Sequence, residues 1–269
     1  MQRSRWWFPL LLWPLWASGG ELSWQGQLTQ GGLIIGQAPP GTRLELDGES
    51  VSVAPDGAFV FGFSRDATTR ARLRVVSPQG GVEERWLNIA ARQYNVQRLN
   101  GLPPDQVTPP PGLLERIRRE NALVGAARRR EIPQTYFLSG FMWPTTGRIS
   151  GVYGSQRILN GEPRQPHYGV DVAAPIGTPV RAPADGVVIL AEPDLYYTGA
   201  TLIIDHGYRL SSTLMHLHQL NATVGQQVRK GDIVATVGKS GRVTGPHLDW
   251  RMNWRDARID PALLVPPMR

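Results

Sequence analysis

Cysteine is absent from these 269 residues, which removes both a disulfide framework and lipid attachment through a thiol. Beyond the N-terminus no stretch approaches the roughly 20 apolar residues that a membrane-spanning helix needs. Internal repeats and low-complexity tracts are also missing, which argues against solenoids and linker-like proteins. The helical zinc motif, two histidines around a glutamate, does not occur. Histidine itself is scarce. There are five, His167, His206, His216, His218 and His247, and none in the first 166 residues.

What is present begins with a processing signal. Arg3 and Arg5 precede an apolar run from Trp6 to Trp16, and Ala17-Ser18-Gly19 supplies the small residues a signal peptidase accepts. The pattern predicts a cleaved leader over 1–19 and an exported protein of a bacterial periplasm or cell envelope, with no transmembrane segment after processing. Losing Arg3 and Arg5 takes the formal charge from +7 to +5. A basic chain could meet nucleic acid, anionic lipid or an anionic wall polymer, and export argues against nucleic acid.

The 30 glycines and 23 prolines point to a β-rich chain with frequent turns. From 20 to 101, period-two apolar residues such as Leu44/Leu46, Val51/Val53 and Phe59/Phe61/Phe63 alternate with Asp47-Gly48, Asp56-Gly57 and Gly80-Gly81. That reads as hairpins of a small immunoglobulin-like β-sandwich, either a spacer or a docking face for a substrate or another envelope protein. Residues 102–112 carry five prolines and read as a semi-rigid linker. Leu113, Leu114, Ile117 and Val124 follow at helical spacing, so 102–135 is expected to be linker plus a charged helix, solvated or resting on an anionic surface. From 136 to 269, strand-length runs at 187–190, 201–204 and 233–237 are bounded by glycine turns and predict a compact, mainly antiparallel β domain.

The chemistry concentrates in this last part. His167 and Asp171 can meet at one cation. On a strand His247 and Asp249 project to one side, with Leu248 and Trp250 toward the core. The same alternation puts His216 and His218 on one face. His206, in Asp205-His206-Gly207, reads better as a turn histidine. Clustered histidine and aspartate are what a hydrolytic metal site is made from.

The ordered pieces carry a resemblance. His167-x-x-x-Asp171, Asp205-His206-Gly207, Met215-His216-Leu217, the run Val224-Gly225-Gln226 to Gly231-Asp232-Ile233, and Gly241 to Leu248 resemble the lysostaphin-type (LytM-like) zinc metallopeptidases. The resemblance covers roughly residues 136–265. It implies a small antiparallel β fold with one zinc ion per chain in a groove, and hydrolysis of peptide cross-links in bacterial peptidoglycan, whose peptide stems would be the partner. Position by position it implies His167 and Asp171 as zinc ligands, and His216 and His247 as the catalytic histidines that handle the water proton and the oxyanion. The family's third ligand is a histidine where this chain has Asp249. A carboxylate is a competent zinc ligand. Two carboxylates, however, cancel the formal charge of Zn²⁺. The expectation is weaker activity or a higher pH optimum, with tolerance of Mn²⁺. The alternative is a catalytically weak wall-binding regulator that activates a peptidoglycan amidase.

Overall fold

The computed structural model describes residues 21–101 and 109–268; the expected leader and residues 102–108 of the proline-rich stretch lie outside the described residues. The chain is mainly β, as its alternation predicts. Seven strands come first: β1 (Ser23–Gly26), β2 (Leu33–Gln37), β3 (Arg43–Leu46), β4 (Glu49–Val51), β5 (Ala58–Gly62), β6 (Arg70–Val76) and β7 (Val82–Asn88). They form two antiparallel sheets, β1-β2-β5 and β4-β3-β6-β7. The Asp47-Gly48 turn works as expected. Both residues have positive φ (50° and 87°) and join β3 to β4 through the pair Leu46↔Glu49, the geometry in which a two-residue loop matches strand twist. Phe59, Phe61 and Phe63 are buried, with ring centroids 5.9 and 5.8 Å apart, and they anchor this part of the core.

The chain continues through β8 (Val96–Leu99) to one α-helix, α1 (Leu114–Arg129). Then come β9 (Arg148–Gly151), β10 (Gln156–Leu159), β11 (Glu162–Pro163), β12 (Gly169–Ala173), β13 (Pro179–Arg181), β14 (Gly186–Leu195), β15 (Gly199–Asp205), β16 (Leu210–Leu220), β17 (Gln227–Val228), β18 (Ile233–Val237), β19 (His247–Trp254) and β20 (Ala257–Ile259). The main sheet runs β17-β14-β15-β16-β19-β12-β9, with β18 and β20 attached and β13 on β18. Leu202, Leu214, Leu248 and Trp250 are fully buried on it.

Two connections shape what lies above this sheet. Strand β8 pairs in parallel with β10, which also pairs with β11. Helix α1 buries only Ala127, beside Ile189, Leu190 and Ile203 of β14 and β15. Val124, half-buried, packs against the same cluster, and polar contacts add to the hold. Arg116 donates to the Asp194 carbonyl (2.8 Å) and carboxylate (3.0 Å), Glu120 accepts from the Tyr196 amide (2.8 Å), and Arg128 donates to Thr213 Oγ1 (2.8 Å). The charged face expected to be solvated is thus partly spent on the β14–β15 turn. Among the described residues no helix is long and apolar enough to cross a membrane.

Candidate metal centre and cleft

Strands β12 and β19 lie side by side in antiparallel register, with Asp171 opposite Asp249 and Ala173 opposite His247. Alternation then decides which side chains meet. Leu248 and Trp250 go into the core, while His247, Asp249 and Arg251 line a cleft of about 790 Å³. His167, just before β12, reaches the same point. Its Nε2 lies 3.1 Å from Asp171 Oδ1 and 3.3 Å from Asp249 Oδ2. One ligand atom from each of the three residues lies within 4.8 Å of the others, and all three residues are buried.

Room for these carboxylates depends on two glycines. A Cβ on Gly151 would collide with the Asp171 carboxylate, and one on Gly169 would sit 2.5 Å from Asp249 Oδ1 and 2.6 Å from the Trp250 carbonyl. Any side chain there would displace the cluster.

The donor set fits a divalent cation. Asp171 Oδ1 is buried and has no hydrogen-bond partner, a state that costs free energy unless something else satisfies it. A tetrahedral site with bonds of about 2.0–2.1 Å has ligand edges of roughly 3.3 Å, close to the two separations given for His167. The electrostatics agree. Burial opposes charge on His167, yet the carboxylates of Asp249 and Asp171 outweigh it and raise its pKa to about 9. Burial also works against ionised Asp249, but Arg251 and His167 hold its carboxyl well below the usual range.

Two further histidines face this cluster, with ring centroids 4.9 Å apart. His216 Nδ1 lies 2.9 Å from the Ser240 carbonyl and His247 Nδ1 lies 2.9 Å from the Gly245 carbonyl. A carbonyl can only accept, so both rings carry the proton on Nδ1 and keep Nε2 as an acceptor. Burial lowers the His216 pKa to about 4. His216 also adopts φ 61°, a left-handed conformation that costs a non-glycine residue free energy and clusters at functional sites.

The other two histidines part from the cluster. His218 is exposed and is not among the cleft-lining residues, so plain strand alternation fails between 216 and 218. The cause is local: His216 takes its positive φ there and the pairing of β16 shifts register after Leu217. His206 is fully buried with both nitrogens engaged, Nδ1 to the Asp185 carbonyl (2.7 Å) and Nε2 to Ser212 Oγ (2.8 Å). It fastens the strand end, as a turn histidine should.

Arg251 adds a positive charge beside the two carboxylates. Its Nη2 donates to Asp249 Oδ2 at 2.7 Å, and its Nε lies 3.1 Å from each Asp249 oxygen. One guanidinium beside Asp249 places a unit of positive charge next to the pair of carboxylates. The signal was available: 247, 249 and 251 alternate onto one side of one strand.

The cleft walls come from residues the spacing did not single out. Gln97, Arg157 and Arg164 stand on the β8-β10-β11 side, Ile117 and Asn121 on α1, and Tyr197 and Arg242 at the rim. The sheets formed by β1–β7 contribute no lining residue.

Comparison with known proteins agrees with this geometry. The family model described as Peptidase family M23 matches residues 165–261. The chain is 38% identical over 106 residues to the peptidoglycan DD-endopeptidase ShyA of Vibrio cholerae, covering 39% of this chain and 24% of that protein. It is 33% identical over 149 residues to ShyB of the same organism, covering 53% and 31%. The matches therefore span about a quarter to a third of these relatives' length. A crystal structure described as a putative peptidase M23 from Pseudomonas aeruginosa aligns with TM-score 0.67 and 30% identity, covering 88% of this chain and 95% of that one.

Proposed function

Since the chain belongs to peptidase family M23, we propose that it is an exported zinc endopeptidase that cuts peptide cross-links of bacterial peptidoglycan. The observation that carries this reading is the buried meeting of His167, Asp171 and Asp249 opposite two histidines whose Nε2 atoms are free to accept a proton.

His167, Asp171 and Asp249 would hold the ion. When bound, zinc polarises the scissile carbonyl and acidifies a water molecule. The protein groups do the rest. Arg251 orients Asp249 through both of its oxygens. His216, kept neutral down to about pH 4 by burial, offers Nε2 to the attacking water from one side, and His247 offers its own from the other. One ring of the pair takes the proton from water and returns it to the departing amine. The ring that has taken the water proton carries it on Nε2, from where it can be donated onward, because its Nδ1–H is already committed to a carbonyl. The wall residues of 97–121 make the segment before residue 136 part of the substrate cleft, so the functional unit begins ahead of the β9–β20 region.

The test is digestion of purified sacculi by the chain lacking residues 1–19, with and without chelator, followed by fragment analysis. Soluble muropeptides that disappear with chelator and return with Zn²⁺ support the proposal. Intact sacculi that still bind the chain would instead indicate the amidase-activating regulator. Substituting Asp249→His alone should lower activity, because it strands the Arg251 guanidinium beside a cation. An increase would overturn the role given to Arg251.

A further inference from the structure

Contacts from outside its own strand place His216. Within β16 its backbone takes φ 61°, which a non-glycine residue keeps only where its surroundings fix it. Its amide donates to the Thr198 carbonyl at 2.9 Å, on the turn between β14 and β15. Its Nδ1 donates to the Ser240 carbonyl at 2.9 Å, 24 residues further along the chain. His247 differs. The partner of its Nδ1 is the Gly245 carbonyl, two residues away. The tautomer of His247 is therefore set within its own segment, whereas that of His216 depends on the loop after β18.

In that loop the Ser240 hydroxyl holds its own carbonyl in place. It accepts from the Ala200 amide at 2.9 Å and donates to the Leu217 carbonyl at 2.7 Å. Ala200 and Leu217 lie opposite each other on β15 and β16, and the pairing of these strands shifts register between Ala200 and Leu202. One hydroxyl thus ties the loop to both strands, and to β16 at the residue that follows His216. The approach is close. A Cβ on Gly199 would lie 2.2 Å from Ser240 Oγ and 2.4 Å from the Ser240 carbonyl carbon, so a residue without a side chain is required there.

We propose that Ser240 is a positioning residue for the hydrolytic reaction: its hydroxyl fixes its carbonyl against His216 Nδ1, which keeps the proton there and leaves Nε2 as the acceptor. A ring nitrogen is protonated or free according to the bond the other nitrogen makes, so the hydroxyl acts on the chemistry through the tautomer without touching substrate. This rests on the peptidase reading for what Nε2 does; the tautomer itself stands on the hydrogen bonds alone. Loss of the hydroxyl removes two bonds from the loop and lets the carbonyl drift, and a misplacement of about 1 Å at a reacting group costs on the order of 10²-fold in rate.

Two readouts on the full chain test the assignment. The first is the histidine tautomer at neutral pH, from nitrogen NMR shifts of isotope-labelled histidine, with His216 identified by its absence in His216→Gln. The parent should show His216 protonated on Nδ1. In Ser240→Ala the form protonated on Nε2 should appear beside it, while the His247 signals stay as in the parent. The second readout is hydrolysis of cross-linked stem peptides with Zn²⁺ added. Ser240→Ala should lower kcat about 10- to 100-fold with KM within about twofold, and Ser240→Thr, which keeps the hydroxyl, should recover most of that loss. Melting curves check the fold, and Ser240→Cys, of similar shape but a weak donor, replaces Ser240→Ala if that variant melts early. An unchanged tautomer in Ser240→Ala overturns the proposal, as does an equal rate loss in Ser240→Thr and Ser240→Ala. A parallel fall in Zn²⁺ affinity also overturns it, since the whole centre would then have loosened. A chain that shows the tautomer change but cuts nothing would sink the peptidase reading alone. One that cuts at the parent rate without the Ser240 hydroxyl would sink the positioning role alone.

Discussion

The sheets formed by β1–β7 and the sheet formed by β9–β20 bury different kinds of side chain. In the first region the buried polar residues are Thr29 and Thr42. In the second they include His167, Asp171, Asp205, His206, His216, Asp249, Asn253 and Asp260. Burying a polar group is costly unless it is bonded, so the second region holds groups that stability alone would not select. Satisfaction then separates them further. His206 has both nitrogens engaged and works as a fastener. Asp171 Oδ1 accepts no hydrogen bond and faces His167 Nε2 at 3.1 Å within the cluster.

The sharpest break of this contrast comes from opposite substitutions. His216→Ala should cut the hydrolysis rate by about 10²–10⁴-fold, the usual weight of an acid–base group, and move the melting temperature by only a few degrees. Equal losses in stability and rate would erase the distinction between the regions. In the other region Phe61→Ala removes a fully buried ring between two aromatic neighbours. It should cost about 3–5 kcal/mol in urea unfolding while the folded fraction keeps the parent rate per molecule.

A smaller effect follows from protons. His206 and His216 have folded pKa values of about 4, below the unfolded value of about 6.5. Each therefore takes up a proton on unfolding, and stability falls as pH drops from about 6.5 to 4. Asp205, raised by burial to about 6, releases a proton on unfolding between its unfolded pKa of about 3.9 and its folded one, so its contribution grows as pH falls. Asp205→Asn removes that offset. Its stability should decline below pH 6 more steeply than the parent's by about 1.4 kcal/mol per pH unit, read from urea midpoints. Parallel curves would mean that Asp205 is not protonated in the fold.

The smallest effect concerns the helix between the regions. Glu120 accepts from the Tyr196 amide and ties α1 to the cleft rim. Glu120→Gln should change stability by less than about 1 kcal/mol yet raise KM severalfold with kcat nearly unchanged, because Tyr197 and Arg242 at the rim lose their brace. An unaltered KM would mean that α1 does not brace the cleft rim.

Much of this was legible in the residues. The Asp47-Gly48 hairpin and the alternation through Leu248 and Trp250 follow from local chemistry and period-two geometry, whereas the grouping of His167, Asp171, His216, His247 and Asp249 is what the family resemblance implies. The common face expected for His216 and His218 fails because a positive φ at His216 and a shift of strand register cannot be read from alternation. Arg251 shares a side of its strand with Asp249 by the same alternation, and the structure bonds the two.

By itself the sequence determined which residues could take part: turn glycines fix hairpins, apolar period fixes faces, and scarce histidines mark the chemistry. Only the tertiary structure decided how they combine. Strand pairing puts Asp171 across from Asp249, Arg251 settles the charge of that pair, and a hairpin with a distant loop gathers Arg157, Arg164 and Arg242 on one wall. The physical reason is that register and loop packing are long-range contacts, and charge balance in a cleft depends on neighbours that chain order does not reveal.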